Sequence, residues 1–185
     1  VSYSYNVRDQ NRLVYEADEK FLARLPADLA PEVGAALHSQ TMPLQDYFSL
    51  FEQLHAEHAG EERVRIQLAP ANLHWCSDQA LAMLRDHAER YRVPLHMHLL
   101  ETRYQKEYAR RRTGTTAVGH LRDMGMLGPH MTLGHGVWLT EADIDLIAES
   151  GTLVCHNPSS NLRLRSGIAP LNFLERRGVR VALGL

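Results

Sequence analysis

Short apolar runs alternate with longer amphipathic stretches along this chain of 185 residues. Val1–Tyr5 alternates and passes into the polar NVRDQN, which predicts a strand tail and a loop. Residues 16–60 have helical spacing, broken at Pro26, Pro31 and Pro43. Val64–Ala69 reads as a strand ending at Pro70. Ser77 then stands where a helix N-cap belongs, with Ala80, Leu81, Leu84, Ala88 and Tyr91 following at helical spacing. Pro94–Leu99 is the next strand, and residues 102–124 are helical with an interruption at Thr113–Thr116. Met131–His135 and Thr152–His156 are strands. Between them, Thr140 with Asp143 resembles a capping box ahead of Ile144, Ile147 and Ala148. A helix over 169–177 and a strand over Val179–Leu185 complete the pattern.

Six short apolar strands separated by helices predict a parallel sheet buried on both faces. A doubly wound sheet and a (β/α)8 barrel both fit. No glycine-rich phosphate loop follows any strand, which counts against a dinucleotide fold. Polar residues gather at the C-terminal ends of successive strands: His98 with Glu101, His135, and His156 with Asn157. In a barrel those ends converge on one mouth, where chemistry is done.

Composition narrows the classes. The chain is 44% apolar, enough for a real core, and its formal net charge of −2 gives no attraction to nucleic acid or a membrane surface. No apolar run approaches the roughly 20 residues that span a bilayer, and VSYSYNVRDQ has no leader pattern. A cytoplasmic protein without nucleic-acid or membrane partners is therefore expected. Cys76 and Cys155 fit no Cys-x-x-Cys pattern and read as buried thiols in a reducing compartment.

Eleven histidines are many for this length, and their placement carries the chemistry. In LHMHLLET, residues 95–102, His96 and His98 lie two apart on a strand and share a face. Two imidazoles there can share a metal, or one can fill the barrel. Glu101 adds a carboxylate just past the strand, able to move a proton to or from a metal-bound water or to serve as a charge at a helix N-terminus. His135 closes a strand between two glycines, which permit close approach of a ligand or backbone, though a lone histidine of this kind is commonly structural. The Asn-Pro and Ser-Ser-Asn of LVCHNPSSNLRLRSGIAP, residues 153–170, read as a turn that caps or holds a loop at the mouth.

The segments HLLET, LGHGVWL, CHNPSSNLRLRSGIAP and GVRVALGL, in this order and spacing, resemble the amidohydrolase superfamily. The resemblance is narrower with its branch of guanine, cytosine and S-adenosylhomocysteine-type deaminases and triazine chlorohydrolases, which APANLHWCSD also fits. It runs from about residue 64 to the end. It implies a (β/α)8 barrel with one divalent metal ion, zinc or in some members iron. The ligands implied are a His-x-His pair on the first strand, a His on the fifth and an Asp on the eighth. His98 matches the fifth-strand ligand. Glu101 matches the residue that contacts the substrate ring and shuttles protons. His135 matches the sixth-strand histidine beside the attacking water. His96 becomes a barrel-filling residue.

No His-x-His precedes residue 96, and VALGL stops where family members continue into the metal-binding Asp. Residues 1–185 are therefore expected to be an incomplete barrel domain covering about strands three to eight. A lone His98 falls short of the three protein ligands of a catalytic zinc. Ala71 stands where several adenine-type deaminases carry a histidine, which argues against S-adenosylhomocysteine-type substrates. His74 and Trp75 follow as substrate-contacting candidates, with Trp75 able to stack on a flat heterocycle or to pack a loop. Arg8 and Asp9, after the first strand, stand where a substrate-facing loop belongs, or form a surface ion pair.

The resemblance implies hydrolytic deamination of an aminated nitrogen heterocycle, with water and a small heterocycle as partners and self-association into a homo-oligomer left open. Dechlorination of a triazine-like ring is the alternative within the family. A catalytically inactive barrel serving as a scaffold is the alternative of another class.

Overall fold

The computed structural model describes residues 2–39 and 42–184. Val1 and Leu185, the outer ends of the first and last predicted strands, lie outside the described residues. The strands are β1 (Ser2–Val7), β2 (Arg65–Pro70), β3 (Leu95–Leu99), β4 (Met131–His135), β5 (Leu153–His156) and β6 (Val181–Leu183). Between β1 and β2 run α1 (Asp18–Leu22), α2 (Ala30–Ser39) and α3 (Leu44–Glu57). Then come α4 (Asp78–Tyr91), α5 (Arg103–Thr113), α6 (Ala117–Asp123), α7 (Glu141–Ser150), α8 (Pro158–Arg163) and α9 (Leu171–Arg176).

All six strands form one sheet in sequence order, and every neighbouring pair is parallel. A doubly wound sheet reverses its strand order at a switch point. This sheet never does, so it winds in one direction, as a barrel wall does.

The two faces of the sheet differ, where two buried faces were expected. Leu68, Leu95, Met97, Leu133 and Val154 are almost fully buried and share one core with Phe48, Phe51, Leu81, Leu84, Ile144 and Ile147 of the helices. The register pairs Leu68 with Leu95, Met97 with Leu133, and Leu133 with Val154, so these residues line one face. Alternation sends Ser4, Gln67, His96, His98, Thr132 and Cys155 to the other face. The lumen side is thus polar, and the core lies between strands and helices.

Local signals set most boundaries. Ser77 caps α4 through its hydroxyl, which accepts from Ala80 N at 3.1 Å. Thr102 and Thr116 cap α5 and α6 in the same way, leaving Thr113–Thr116 as the break. Pro26 and Pro43 fall outside helices as expected. Pro31 does not break one, because it sits in the first turn of α2, where its missing N–H has no helical partner to lose. The predicted turn after β5 is instead a short helix, α8, with Pro158 at its start. Among the described residues no helix is long and apolar enough to cross a membrane.

Asp143 joins two helices. Its carboxylate accepts from Thr140 N at 2.9 Å and Thr140 Oγ1 at 2.7 Å, completing the capping box, and from Thr116 Oγ1 at 2.5 Å. It is 1% exposed. Removing it leaves three partly buried donors at the starts of α6 and α7 without their acceptor. Asp143→Ala is expected to lower stability of the complete polypeptide by about 2–3 kcal/mol in urea unfolding. A loss below about 0.5 kcal/mol, the scale of a surface substitution, would mean that the carboxylate does not tie these helices together.

Candidate active site

The C-terminal ends of β3 and β4 bring three chemically able side chains together. His98 is on the lumen face of β3, paired in register with Gly134 of β4. Gly134 has no side chain, and a Cβ placed there would come within 3.5 Å of His96 Nε2. A Cβ there would make only ordinary contact, so crowding of the β3 imidazoles would begin with a side chain larger than alanine. His96 and His98 stack edge to face with centroids 6.0 Å apart.

His135 belongs, by alternation, with Met131 and Leu133 on the helix-facing side. It does not stay there. Its φ is 72° and that of Gly136 is 56°, so the backbone turns left-handed as β4 ends. The ring then reaches His98, with His135 Nε2 3.0 Å from His98 Nδ1. Its other nitrogen, Nδ1, lies 2.7 Å from Asn161 Oδ1 of α8. A second bulky residue, Leu100, also has a positive φ, 52°, just after β3. That turn carries Glu101 to the mouth, with Oε1 3.9 Å from His135 Nδ1. Left-handed backbone at such residues costs of order 1–3 kcal/mol and is characteristic of functional sites.

Glu101 is not a helix-start residue. Thr102 is the N-cap of α5, and no acidic residue lies in its first turn. The Glu101 backbone N–H donates to Gln105 Oε1 at 2.7 Å, which fixes the turn and leaves the carboxylate toward His135.

Electrostatics keep the paired imidazoles neutral. Burial, then His98 and His135, hold His96 below its ordinary value. Burial and His135 likewise lower His98, opposed by the Glu101 carboxylate. A neutral imidazole has a lone pair to offer a metal or a proton. Among the described residues no group of three or more His, Cys, Asp or Glu could hold a metal ion. His98 thus fits one corner of such a site and does not complete it.

His74 and Trp75 lie in the loop from β2 to α4, at the same end of the sheet. Among the described residues no hydrogen bond or ring contact joins them to the His98–His135–Glu101 group. Trp75 is engaged with its own loop: the Arg8 guanidinium lies 4.1 Å over its ring, and His74 packs at 4.3 Å. Its carbonyl accepts from Asp9 N at 3.1 Å and Gln10 N at 3.2 Å. Arg8 and Asp9 are not the expected ion pair. Asp9 accepts from Ser77 N at 2.8 Å and Ser77 Oγ at 2.5 Å, while Arg8 bonds Asn11. Cys76 is a buried thiol bonded to Val7 O, pushed up to about 11 by burial, as expected. Cys155 is only half-buried.

In the sequence Asn161 reads only as part of a turn. It is 1% exposed and lies on the far side of β5 in sequence. The available signal was a second asparagine four residues after Asn157, which places it one helical turn into α8.

The amidohydrolase family model matches residues 23–185. A 5-methylthioadenosine/S-adenosylhomocysteine deaminase of Syntrophobacter fumaroxidans is 41% identical over 142 residues, 77% of this chain and 32% of that protein. A 5'-deoxyadenosine deaminase of Methanothermobacter thermautotrophicus is 35% identical over 144 residues, 78% of this chain and 33% of that protein. The chain thus spans about a third of the length of these relatives. Among solved structures, an adenosine deaminase from Xanthomonas campestris with bound zinc superposes with a TM-score of 0.73 at 30% identity, over 76% of this chain and 32% of that one. Atrazine chlorohydrolase from Arthrobacter aurescens, complexed with zinc, shares the fold with a TM-score of 0.72 at 23% identity, over 77% of this chain and 32% of that one. The six parallel strands are accordingly part of a (β/α)8 barrel.

The His74 environment generates a pH prediction. Burial, with Arg8 and Arg112 nearby, lowers His74 from 6.5 to about 4. The folded state therefore binds fewer protons there than the unfolded chain. The contribution of His74 to stability is complete above about pH 6.5 and is lost as pH falls toward about 4. In urea unfolding of the complete polypeptide, His74→Asn is expected to remove a stability decline of about 3 kcal/mol across that window. Parallel pH profiles of the two proteins would show that the ring is not buried neutral.

Proposed function

As this chain belongs to the amidohydrolase family, we propose that the complete polypeptide is a metal-dependent hydrolase that deaminates an aminated nitrogen heterocycle. The observation that carries this reading is the meeting of His98, His135 and Glu101 at neighbouring strand ends, within 3.0 and 3.9 Å of one another. Residues 1–185 are read as one stretch of the barrel wall, about strands three to eight.

The substrate class favoured is an adenosine-type nucleoside, as the names of the relatives suggest. Ala71 remains a departure. It is buried and its N–H donates to Val7 O at 3.0 Å, so its methyl group offers a purine no hydrogen bond. The weight of ring recognition then falls on Glu101. His74 and Trp75 are read as walls of the mouth, since Arg8 already covers one face of the indole. Triazine dechlorination has only a likeness of fold in its favour, and a scaffold role gives the strained cluster no purpose.

His98 would be one protein ligand to a single divalent ion, with zinc favoured by the zinc-bound neighbours. Such an ion supplies an activated water at neutral pH. Glu101 carries a proton to the ring nitrogen and then to the leaving amine. His135, expected beside the attacking water, has both ring nitrogens engaged, by Asn161 and by His98, and so acts by holding His98 in place.

Two variants of the complete polypeptide test this. His98→Ala should abolish bound metal in elemental analysis, and unchanged occupancy would remove His98 from the site. Glu101→Gln keeps the shape but cannot move the proton. It should leave folding and metal content near normal and cut turnover by about 10²–10⁴. Full deaminase activity in that variant would remove Glu101 from the mechanism.

A further inference from the structure

The buried side chain of Asn161 makes one hydrogen bond that matters chemically, with Oδ1 at 2.7 Å from His135 Nδ1. Its backbone is fixed on both sides. Its N–H donates to Asn157 O at 2.9 Å, and its carbonyl accepts from Ser166 N at 2.8 Å. Its amide Nδ2 is buried and has no partner among the described residues. An unpartnered buried donor costs about 1–3 kcal/mol. An apolar residue of similar shape would avoid that cost but would leave the buried Nδ1 of His135 without a partner, so the asparagine is there for that ring.

A neutral imidazole carries one N–H and one lone pair, and its partners choose which nitrogen holds the proton. The carbonyl oxygen of Asn161 can only accept, so His135 Nδ1 carries a proton, and in the neutral ring Nε2 keeps the lone pair. That lone pair faces His98 Nδ1 at 3.0 Å. The contact is a hydrogen bond only if His98 Nδ1 donates, which leaves the lone pair of His98 on Nε2. Were the amide of Asn161 turned, its NH2 would donate to Nδ1 and every proton in the row would move to the other nitrogen. His98 Nε2 would then carry hydrogen and have no lone pair for a metal.

We propose that Asn161 is a positioning residue that sets the tautomers of His135 and His98 in series, and so selects Nε2 of His98 as the free ligating nitrogen. This rests on the reading of His98 as a metal ligand. The control acts over two hydrogen bonds, from α8 across the end of β4 to β3. Groups that orient a metal-ligating histidine typically change metal affinity or activity by about 10–100-fold when removed.

The test uses the complete polypeptide with its metal, and two variants. Nitrogen-15 spectra of the histidine rings should show His135 protonated at Nδ1 and bare at Nε2, with His98 protonated at Nδ1. Asn161→Leu should lose this pattern and lower zinc affinity by about 10–100-fold while the protein still melts cooperatively. Asn161→Asp offers only acceptor oxygens and should keep both the pattern and the affinity. His135 bare at Nδ1 in the unaltered protein overturns the proposal, as does Asn161→Leu with unchanged zinc affinity. If Asn161→Leu fails to fold, the unaltered protein and Asn161→Asp still decide. Unchanged metal in His98→Ala would instead sink the ligand assignment, while the ring spectra continue to judge Asn161 on their own.

Discussion

A side chain at the end of a strand follows its two-residue alternation unless the backbone leaves the extended region. At His135 it leaves that region, with φ at 72°. The ring would otherwise join Met131 and Leu133 among the helices. The turn brings it instead beside His98, on the lumen side, and within reach of Glu101 and Asn161. The glycines on either side make this possible. Gly134 keeps any larger side chain from β3, and Gly136 continues the left-handed path at no side-chain cost. Leu100 performs the matching turn after β3. The mouth therefore rests on two strained residues that the surrounding packing holds in place. Leu100 is itself 2% exposed, and Trp138 N donates to its carbonyl at 3.0 Å.

Crowding of histidines has an electrostatic consequence. Three imidazoles on adjacent strand ends cannot all carry charge without mutual repulsion. Burial is the larger effect, repulsion adds to it, and together they keep His96 and His98 below the usual histidine range. Glu101 is the nearby negative charge that opposes the trend at His98. A site in which charge on His96 and His98 is disfavoured, with a carboxylate beside them, suits ligation at one group and proton transfer at the other.

The neighbouring loop is built more rigidly than a substrate-facing loop needs to be. Arg112 of α5 donates to the carbonyls of Leu73 and Cys76 and to Asp78. The segment after β1 lies along the same loop, and Asp9 holds Ser77. Arg8 over Trp75 closes one face of that indole. This pinning explains how His74 stays buried and neutral beside two guanidinium groups. It also limits Trp75 to edge contact or to its remaining face.

The sequence by itself determined the order of elements and most of their ends. Capping hydroxyls at Ser77 and Thr140 act through the nearest turn of chain, so local reading finds them, whereas the caps at Thr102 and Thr116 showed only as the start of a helical stretch and its break. It also placed His98, Glu101 and His135 at strand ends, because strand and helix periods are local properties. Other features needed the fold. Whether the sheet reverses or winds one way depends on pairing between distant segments. The polarity of the second sheet face emerged only once register fixed which residues share it. Asn161 lies 26 residues from His135, and no periodicity links them; α8 had first to form where a turn was expected, and then to pack against the end of β4. His135 shows the division most sharply. Alternation assigns its ring to the helices, and only the tertiary environment, by holding a left-handed backbone that isolated chain would abandon, delivers it to the site.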